Sequence, residues 1–583
     1  MSISKSICIS SDFFTRLIYK IFSCFTTIFF YSRTVLALPI TSVCEKTKLG
    51  FFLKIQKIPF KPPHNFVSSR MKHKQGTARD QISFSSFEDR ISRDNPVRFI
   101  DVFSGKIDLE KIGFSVKTLQ KEGRPSFESS LFVRLYLYGY LNGLRSSRKL
   151  EKECERNIEL HWLLHGMIPN YHSISDFRKD NPQALKKLFK LFVSFLKDAD
   201  LITGETIAID GTKSRAHNSK KANFSQKKLD RHIEYIDQKV EEYMSILASA
   251  DVQDEQMKVT KVLDKIATLK ERRIDYELLE KRLQESGEPQ ISTTDPDARA
   301  LLVQGQVVEV SYNIQAAVDD KHNLVVATHT INRNDRNALA AIAKEVQENL
   351  DIENYTALVD KGYHNGRQIQ ECTDAKITTI VASPALVNSN EKGTTKAYMV
   401  NEFIYNKEVD TYTCPQGETL TTTGTWHKKT RERDSYQFKK YRTPKCKECP
   451  MKNLCTARTS GGREIDRSEF AEAVTANNMR YKENAALYRK RQEINEHIFG
   501  TIKRQWGYNH TNLNGLEKVG GEHALILLVY NIKRSMNILG VPDLIEKLKN
   551  FKHPYMKDGC FVFFRVNFKP TCALLFFQQK MAV

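Results

Sequence analysis

Two short apolar runs in this 583-residue chain stop on an aspartate, and that pattern restricts the fold more than any other feature. The first is Thr206-Ile207-Ala208-Ile209-Asp210-Gly211. The second is Tyr355-Thr356-Ala357-Leu358-Val359-Asp360-Lys361-Gly362-Tyr363. Each reads as a strand that gives way to a loop at its acid, a common place for a metal-binding carboxylate. Between them, residues 311–318 and 323–328 meet across Asp319-Asp320-Lys321-His322, which is a hairpin signal. Residues 337–350 then repeat at helical spacing, and residues 378–382 make a further strand. Strands interleaved with helices predict an α/β core built on a mixed sheet.

A third carboxylate lies far downstream. Residues 488–505 read Tyr-Arg-Lys-Arg-Gln-Glu-Ile-Asn-Glu-His-Ile-Phe-Gly-Thr-Ile-Lys-Arg-Gln. Ile498, Phe499 and Ile502 recur at three- and four-residue spacing, the apolar side of a helix. Glu496 and Lys503 are seven apart, two turns along, and project from nearly one face. The alternative is a solvated charged helix. Two aspartates at strand ends and a glutamate on a later helix can converge on one point. Such a set suits two Mg²⁺ (or Mn²⁺) ions about 4 Å apart, which clamp the attacking and leaving oxygens of a phosphodiester. Uncompensated, the carboxylates repel and raise one another's pKa, and the ions remove that penalty. Lys213, Arg215, His217, Lys220 and Lys221 follow Asp210 as a basic loop able to meet phosphates. The net charge of +21 favours a polyanionic partner, DNA or RNA first.

Around this core the chain divides into candidate regions. Residues 1–70 hold ten Lys/Arg and two Asp/Glu, with apolar runs at 21–30 and 35–40 that are short for a membrane span. They read as upstream translation before Met71, or alternatively as a signal peptide or anchor. The preferred reading implies no membrane partner and a cytoplasmic protein. Residues 71–200 form a basic helical unit suited to DNA binding, or a helical scaffold without DNA contact. Within it, 129–144, 149–164 and 185–196 read as helices, and 169–178 as a turn capped by Ser173 or Ser175. Residues 201–400 hold the first part of the core. Its charged insertion at 225–290 reads as two long helices packed as a hairpin, broken near 248–253. Residues 401–470 carry Cys414, Cys446, Cys449 and Cys455. A CxxC with two further cysteines suits a closed tetrahedral structural Zn²⁺ site in a small ribbon, the alternative being four unligated thiols. The scattered Cys8, Cys24, Cys44, Cys154, Cys372, Cys560 and Cys572 read as plain core thiols. Residues 471–548 return to core helices, and 549–583 give no functional reading.

Together these motifs resemble a DDE transposase of a bacterial insertion sequence, in the branch with a Tyr–Arg–Glu–Lys signature helix. The resemblance spans roughly residues 71–548. It rests on Ala208-Ile209-Asp210-Gly211-Thr212, Leu358-Val359-Asp360-Lys361-Gly362-Tyr363 and Glu496-His497-Ile498-Phe499-Gly500-Thr501-Ile502-Lys503. Ser175-Asp176-Phe177-Arg178, Thr294-Asp295-Pro296-Asp297-Ala298-Arg299, residues 312–318, Gly515-Leu516-Glu517-Lys518-Val519 and Tyr530-Asn531-Ile532-Lys533-Arg534 support it. The resemblance implies a ribonuclease-H-like core and cut-and-paste chemistry. Asp210, Asp360 and Glu496 would be the metal-binding triad, and Tyr488, Arg491 and Lys503 the signature residues acting on DNA phosphates. Glu493, one turn before Glu496, is the alternative third carboxylate. It further implies double-stranded DNA, both element ends and target, as partner, and a homodimer on that DNA. The alternatives are a nuclease without strand transfer and a DNA-binding protein with an inactive core.

Overall fold

The structure is a computed structural model that describes residues 77–82, 84–115, 126–218, 220–249, 256–303, 307–384, 394–431 and 434–557. Residues 1–70, most of the tail, and Cys8, Cys24, Cys44, Cys560 and Cys572 lie outside the described residues.

The chain from Ser83 onward first builds helices: α1 (Pro96–Lys106), α2 (Ser129–Leu141), α3 (Ser147–Arg156), α4 (Ile158–Leu163), α5 (Tyr171–Asp180) and α6 (Pro182–Asp198). Two expectations are corrected here. The helix expected over 149–164 is broken, because Asn157 stops α3 and caps α4 by accepting from the Glu159 amide. The turn expected over 169–178 is the helix α5. Its cap is Asn170, which accepts from the Ser173 amide, rather than a serine.

The main sheet follows, with β1 (Thr206–Arg215), β2 (Arg299–Val303), β3 (Val307–Asp319), β4 (Leu324–Ile331), β5 (Tyr355–Val359) and β6 (Ile377–Val381). β3 pairs antiparallel with β2, β4 and β1, and β5 and β6 add parallel to β1. Read from β4, the order is β4-β3-β1-β5-β6. The insertion after β1 is the expected hairpin, α7 (Gln226–Ser249) and α8 (Gln256–Ser286). Helices α9 (Leu339–Leu350) and α10 (Gly366–Asp374) connect the later strands.

β1 does not stop at Asp210 as expected. It runs on to Arg215 because β3 pairs with it from Ile207 to Arg215, while β5 leaves it after Ile209. Lys213 and Arg215 are therefore strand residues and not members of a basic loop.

The cysteine-rich segment makes two small sheets, β7 (Ile404–Asn406), β8 (Thr411–Thr413) and β9 (Thr419–Leu420), then β10 (His427–Arg431), β11 (Asp434–Tyr441) and β12 (Ile465–Ser468). The described residues end with α11 (Ala471–Glu483), α12 (Ala485–Phe499), a π-helical turn over Gly500–Gln505, α13 (Leu516–Leu539) and α14 (Val541–Asn550). One apolar core runs from Phe99 and Phe192 through Ile207 and Val325 to Ile498 and Leu528. Cys154 and Cys372 are buried in it as plain thiols. Among the described residues, no single helix is long and apolar enough to cross a membrane.

Two of the short motifs meet at the start of α13. Asp295 accepts from the Gly515 amide and the Tyr312 hydroxyl, and Asp297 accepts from the Leu516 amide at 2.8 Å. These carboxylates satisfy donors that a helix start leaves unpaired.

Candidate active-site cleft

Asp210 and Asp360 become neighbours through strand register. Ala208 faces Leu358 and Ile209 faces Val359 across the parallel β1–β5 pair, so the next residue on each strand is an aspartate. Adjacent strands stand about 4.8 Å apart, which brings the two side chains to one spot. Arg491 of α12 bridges them: its Nη1 lies 3.5 Å from Asp210 Oδ2 and its Nη2 3.3 Å from Asp360 Oδ1. Its guanidinium also lies over the Tyr488 ring, 5.6 Å from the centroid.

The charges here do not balance. Burial pushes the Asp210 carboxyl up to about 6, and Asp360 and Asp335 push the same way against Arg491 and the Gly211 amide. One guanidinium does not fully offset the burial and like charge on this acid.

A cleft of about 910 Å³ opens beside Asp210. Lys213 forms part of its wall, together with Arg491, Asn495, Glu496 and Lys503. Glu496 is exposed on that wall, and its carboxylate accepts from Gln492 at 2.7 Å. The structure thus brings Glu496 to the same cleft but not onto the aspartates. Glu493 is exposed as well. Lys503 reaches across to donate to the Lys213 carbonyl. Burial, with Lys213 nearby, lowers its ammonium to about 8. Arg215 turns instead to Glu309, at 2.8 Å.

The sequence reading missed Asp335. It follows β4 in a short 3₁₀ turn (Asp335–Asn337) and accepts from Lys213 at 3.0 Å, Asn313 at 2.7 Å and Gln315 at 2.9 Å. The available signal was a third strand followed closely by an acid. It was hidden because Asn332, Arg333 and Asn334 intervene.

The four cysteines are half-buried, and Cys414 and Cys455 pack against the small core of Phe403, Tyr412, Leu420, Tyr441 and Ile465. Burial raises the Cys446 and Cys455 thiols, and the other cysteines of the set add to the rise. Cys414 Sγ accepts from the Glu418 amide at 3.3 Å, and Cys446 from the Arg463 backbone. Among the described residues, no three His, Cys, Asp or Glu side chains stand together in metal-holding geometry. The donor chemistry nevertheless fits in both places. Crowded carboxylates short of positive charge suit a hard divalent cation, and four thiols with amides aimed at two of them suit zinc.

Residues 413–536 match a family model described as a transposase DDE domain, and residues 85–180 match one described as a transposase domain (DUF772). The first match contains Glu496, Arg491 and the cysteine set, while Asp210 and Asp360 lie outside both. The two matches support a DDE transposase. No curated protein and no solved structure matches the chain.

Proposed function

We propose that the chain is a DDE transposase that cuts DNA at the ends of an insertion sequence and joins the freed strand to target DNA. The observation that carries this reading is the pairing of Asp210 with Asp360 on adjacent parallel strands, beside a cleft walled by Arg491, Lys503 and Lys213. The order β4-β3-β1-β5-β6, antiparallel then parallel, supports a ribonuclease-H-like core.

Asp210, Asp360 and Glu496 would hold two Mg²⁺ or Mn²⁺ ions. Such ions activate water and stabilise the leaving oxygen of a phosphodiester. To hold them Glu496, already on the cleft wall, would turn from Gln492 toward the aspartates. Arg491 would then be available to a strand phosphate, along with Tyr488, Lys503 and Lys213. Arg215 would serve the flanking backbone. Cys414, Cys446, Cys449 and Cys455 would hold a structural Zn²⁺ that staples the two small sheets, with no open position for chemistry. Because two ends must be joined to one target, the working form would be a homodimer on DNA.

The test is cleavage of a labelled duplex carrying the element's own end, with Mg²⁺, by the chain begun at Met71. Nicking at that end, lost in Asp210→Asn, is the expected result. A second reading, a DNA-binding protein with an inactive core, is favoured by the Glu496–Gln492 contact and by Arg491 lying between the aspartates. End-specific binding without nicking in either protein would select it.

A further inference from the structure

Asp335 is built into its place more firmly than a surface acid needs. Its Oδ1 accepts from the side-chain amides of Asn313 and Gln315, two residues apart on one face of β3. Its Oδ2 accepts from the Lys213 ammonium at 3.0 Å. Gln315 is fixed in turn by the Tyr363 hydroxyl, three residues after Asp360. The backbone carbonyl of Asp335 accepts from the Ala338 amide just before α9.

The neighbouring strand makes room for this carboxylate. A Cβ at Gly211 would stand 2.4 Å from Asp335 Oδ1, 2.5 Å from Gln315 Nε2 and 2.9 Å from Asn313 Oδ1. A Cβ there would have to push all three of these hydrogen-bonded side chains aside. The residue directly after Asp210 is thus a glycine so that Asp335 can press against the strand.

Lys213 is held at both ends. Asp335 takes its ammonium, and its carbonyl accepts from Lys503. Its side chain is only 14 % exposed, and the residue is part of the cleft wall with Asp210 and Arg491. A lysine loses considerable rotamer freedom when fixed, and an anionic partner within hydrogen-bond reach offsets that loss.

We propose that Asp335 is a positioning residue, which holds the Lys213 ammonium at the wall of the cleft that Asp210 also lines, so that Lys213 binds the phosphate of the strand being cut. This rests on the transposase reading above. Asp335 itself touches no DNA; it acts through Lys213.

Two measurements test it. The first needs no catalysis: the rate at which Lys213 is acetylated by an amine-reactive ester, read by peptide mass spectrometry against exposed Lys376. Lys213 is expected to be protected in the native protein and to label several-fold faster in Asp335→Asn. The second is end cleavage by Asp335→Asn, Lys213→Met and the double variant. Each single change is expected to slow cleavage about 10- to 100-fold, the scale of a misplaced group. The double variant should be no slower than the worse single one, because both remove one coupled interaction. Lys213→Met should also lower the salt dependence of end binding by about one counterion.

Equal labelling of Lys213 in both proteins would overturn the proposal, as would multiplicative losses in the double variant. If the native protein labels as expected but cuts nothing, the positioning stands and the transposase reading falls. If it cuts, and Asp335→Asn cuts equally well, the reverse holds. Should Asp335→Asn melt early, Asp335→Glu carries the same two measurements, since it keeps the charge but displaces it by one methylene.

Discussion

Asn495 is 2 % exposed on the inward face of α12, and neither its amide nitrogen nor its oxygen finds a hydrogen-bond partner among the described residues. An unpaired buried polar group costs about 1–3 kcal/mol. Asn495→Val is therefore expected to stabilise the protein by about that amount, measured as a raised denaturation midpoint; a lower midpoint would show that the amide is satisfied by water. Asp210 sets a second expectation. Its carboxyl is raised from 3.8 to about 6, so near pH 5 it carries a proton that a metal ion must displace. The groups around it are Arg491 from α12, Asp360 at the end of β5, Asp335 and the Gly211 amide. Mg²⁺ binding to the DNA-free protein should weaken as pH falls through about 6. Calorimetry in buffers of different ionisation heat should show proton release below that pH and little at pH 8. Proton release that does not change between the two would refute it.

At the scale of elements, much was legible and the exceptions share a cause. Apolar period alone located β5, β6 and the α7–α8 hairpin, because each is long or strongly patterned. The end of β1 was not legible. Thr212, Lys213, Ser214 and Arg215 are polar and look like a loop, and they are strand only because β3, about a hundred residues on, pairs with them. Asn157 and Asn170 do not stand out as caps in the sequence, because asparagine serves turns and helix starts alike. Asp210 and Asp360 stand out in the sequence because the acid stands beside an apolar run, whereas Asp335 stands four residues beyond Ile331. The orientation of Glu496 was also not legible. Register along one helix gives a face, but the face that meets the sheet carries Arg491, Asn495 and Ile498 instead. The cysteine ribbon carries its own prediction. Its sheets are short and its buried core among the described residues is five side chains, so zinc should supply much of its stability. The purified protein is expected to contain one zinc per chain by atomic emission. Chelation should expose the ribbon to protease while the main sheet persists. Absence of zinc from protein with an intact ribbon would count against the Cys₄ site.

Across the whole molecule, the N-terminal helices are locked to the C-terminal ones by a buried carboxylate. Glu522 of α13 is fully buried and accepts from Arg145 at 2.8 Å and from the Asn512 amide at 3.0 Å, with Arg178 close by. Burial alone would raise its carboxyl, but the two guanidinium groups win and hold it well below the ordinary value of 4.5. A depressed acid contributes its stability above the unfolded value and loses it as pH falls below that value. Unfolding experiments should therefore show stability falling steeply below about pH 4.5 in the native protein. Glu522→Ala should cost about 3–5 kcal/mol, because it strands two buried cations. A cost below 1 kcal/mol would mean that water reaches them.

The long reach of Lys503 has a consequence in time. It bonds a carbonyl 290 residues earlier in the chain. At about 5–20 residues per second, a ribosome needs about 15–60 s to cover that interval. Throughout it, a nascent chain already displays Asp210 and later Asp360, yet lacks the helix that brings Arg491 and Lys503 to them. Such a chain has the acids and Lys213 but not the guanidinium that bridges the two aspartates, so the cleft stays unassembled until synthesis is nearly done.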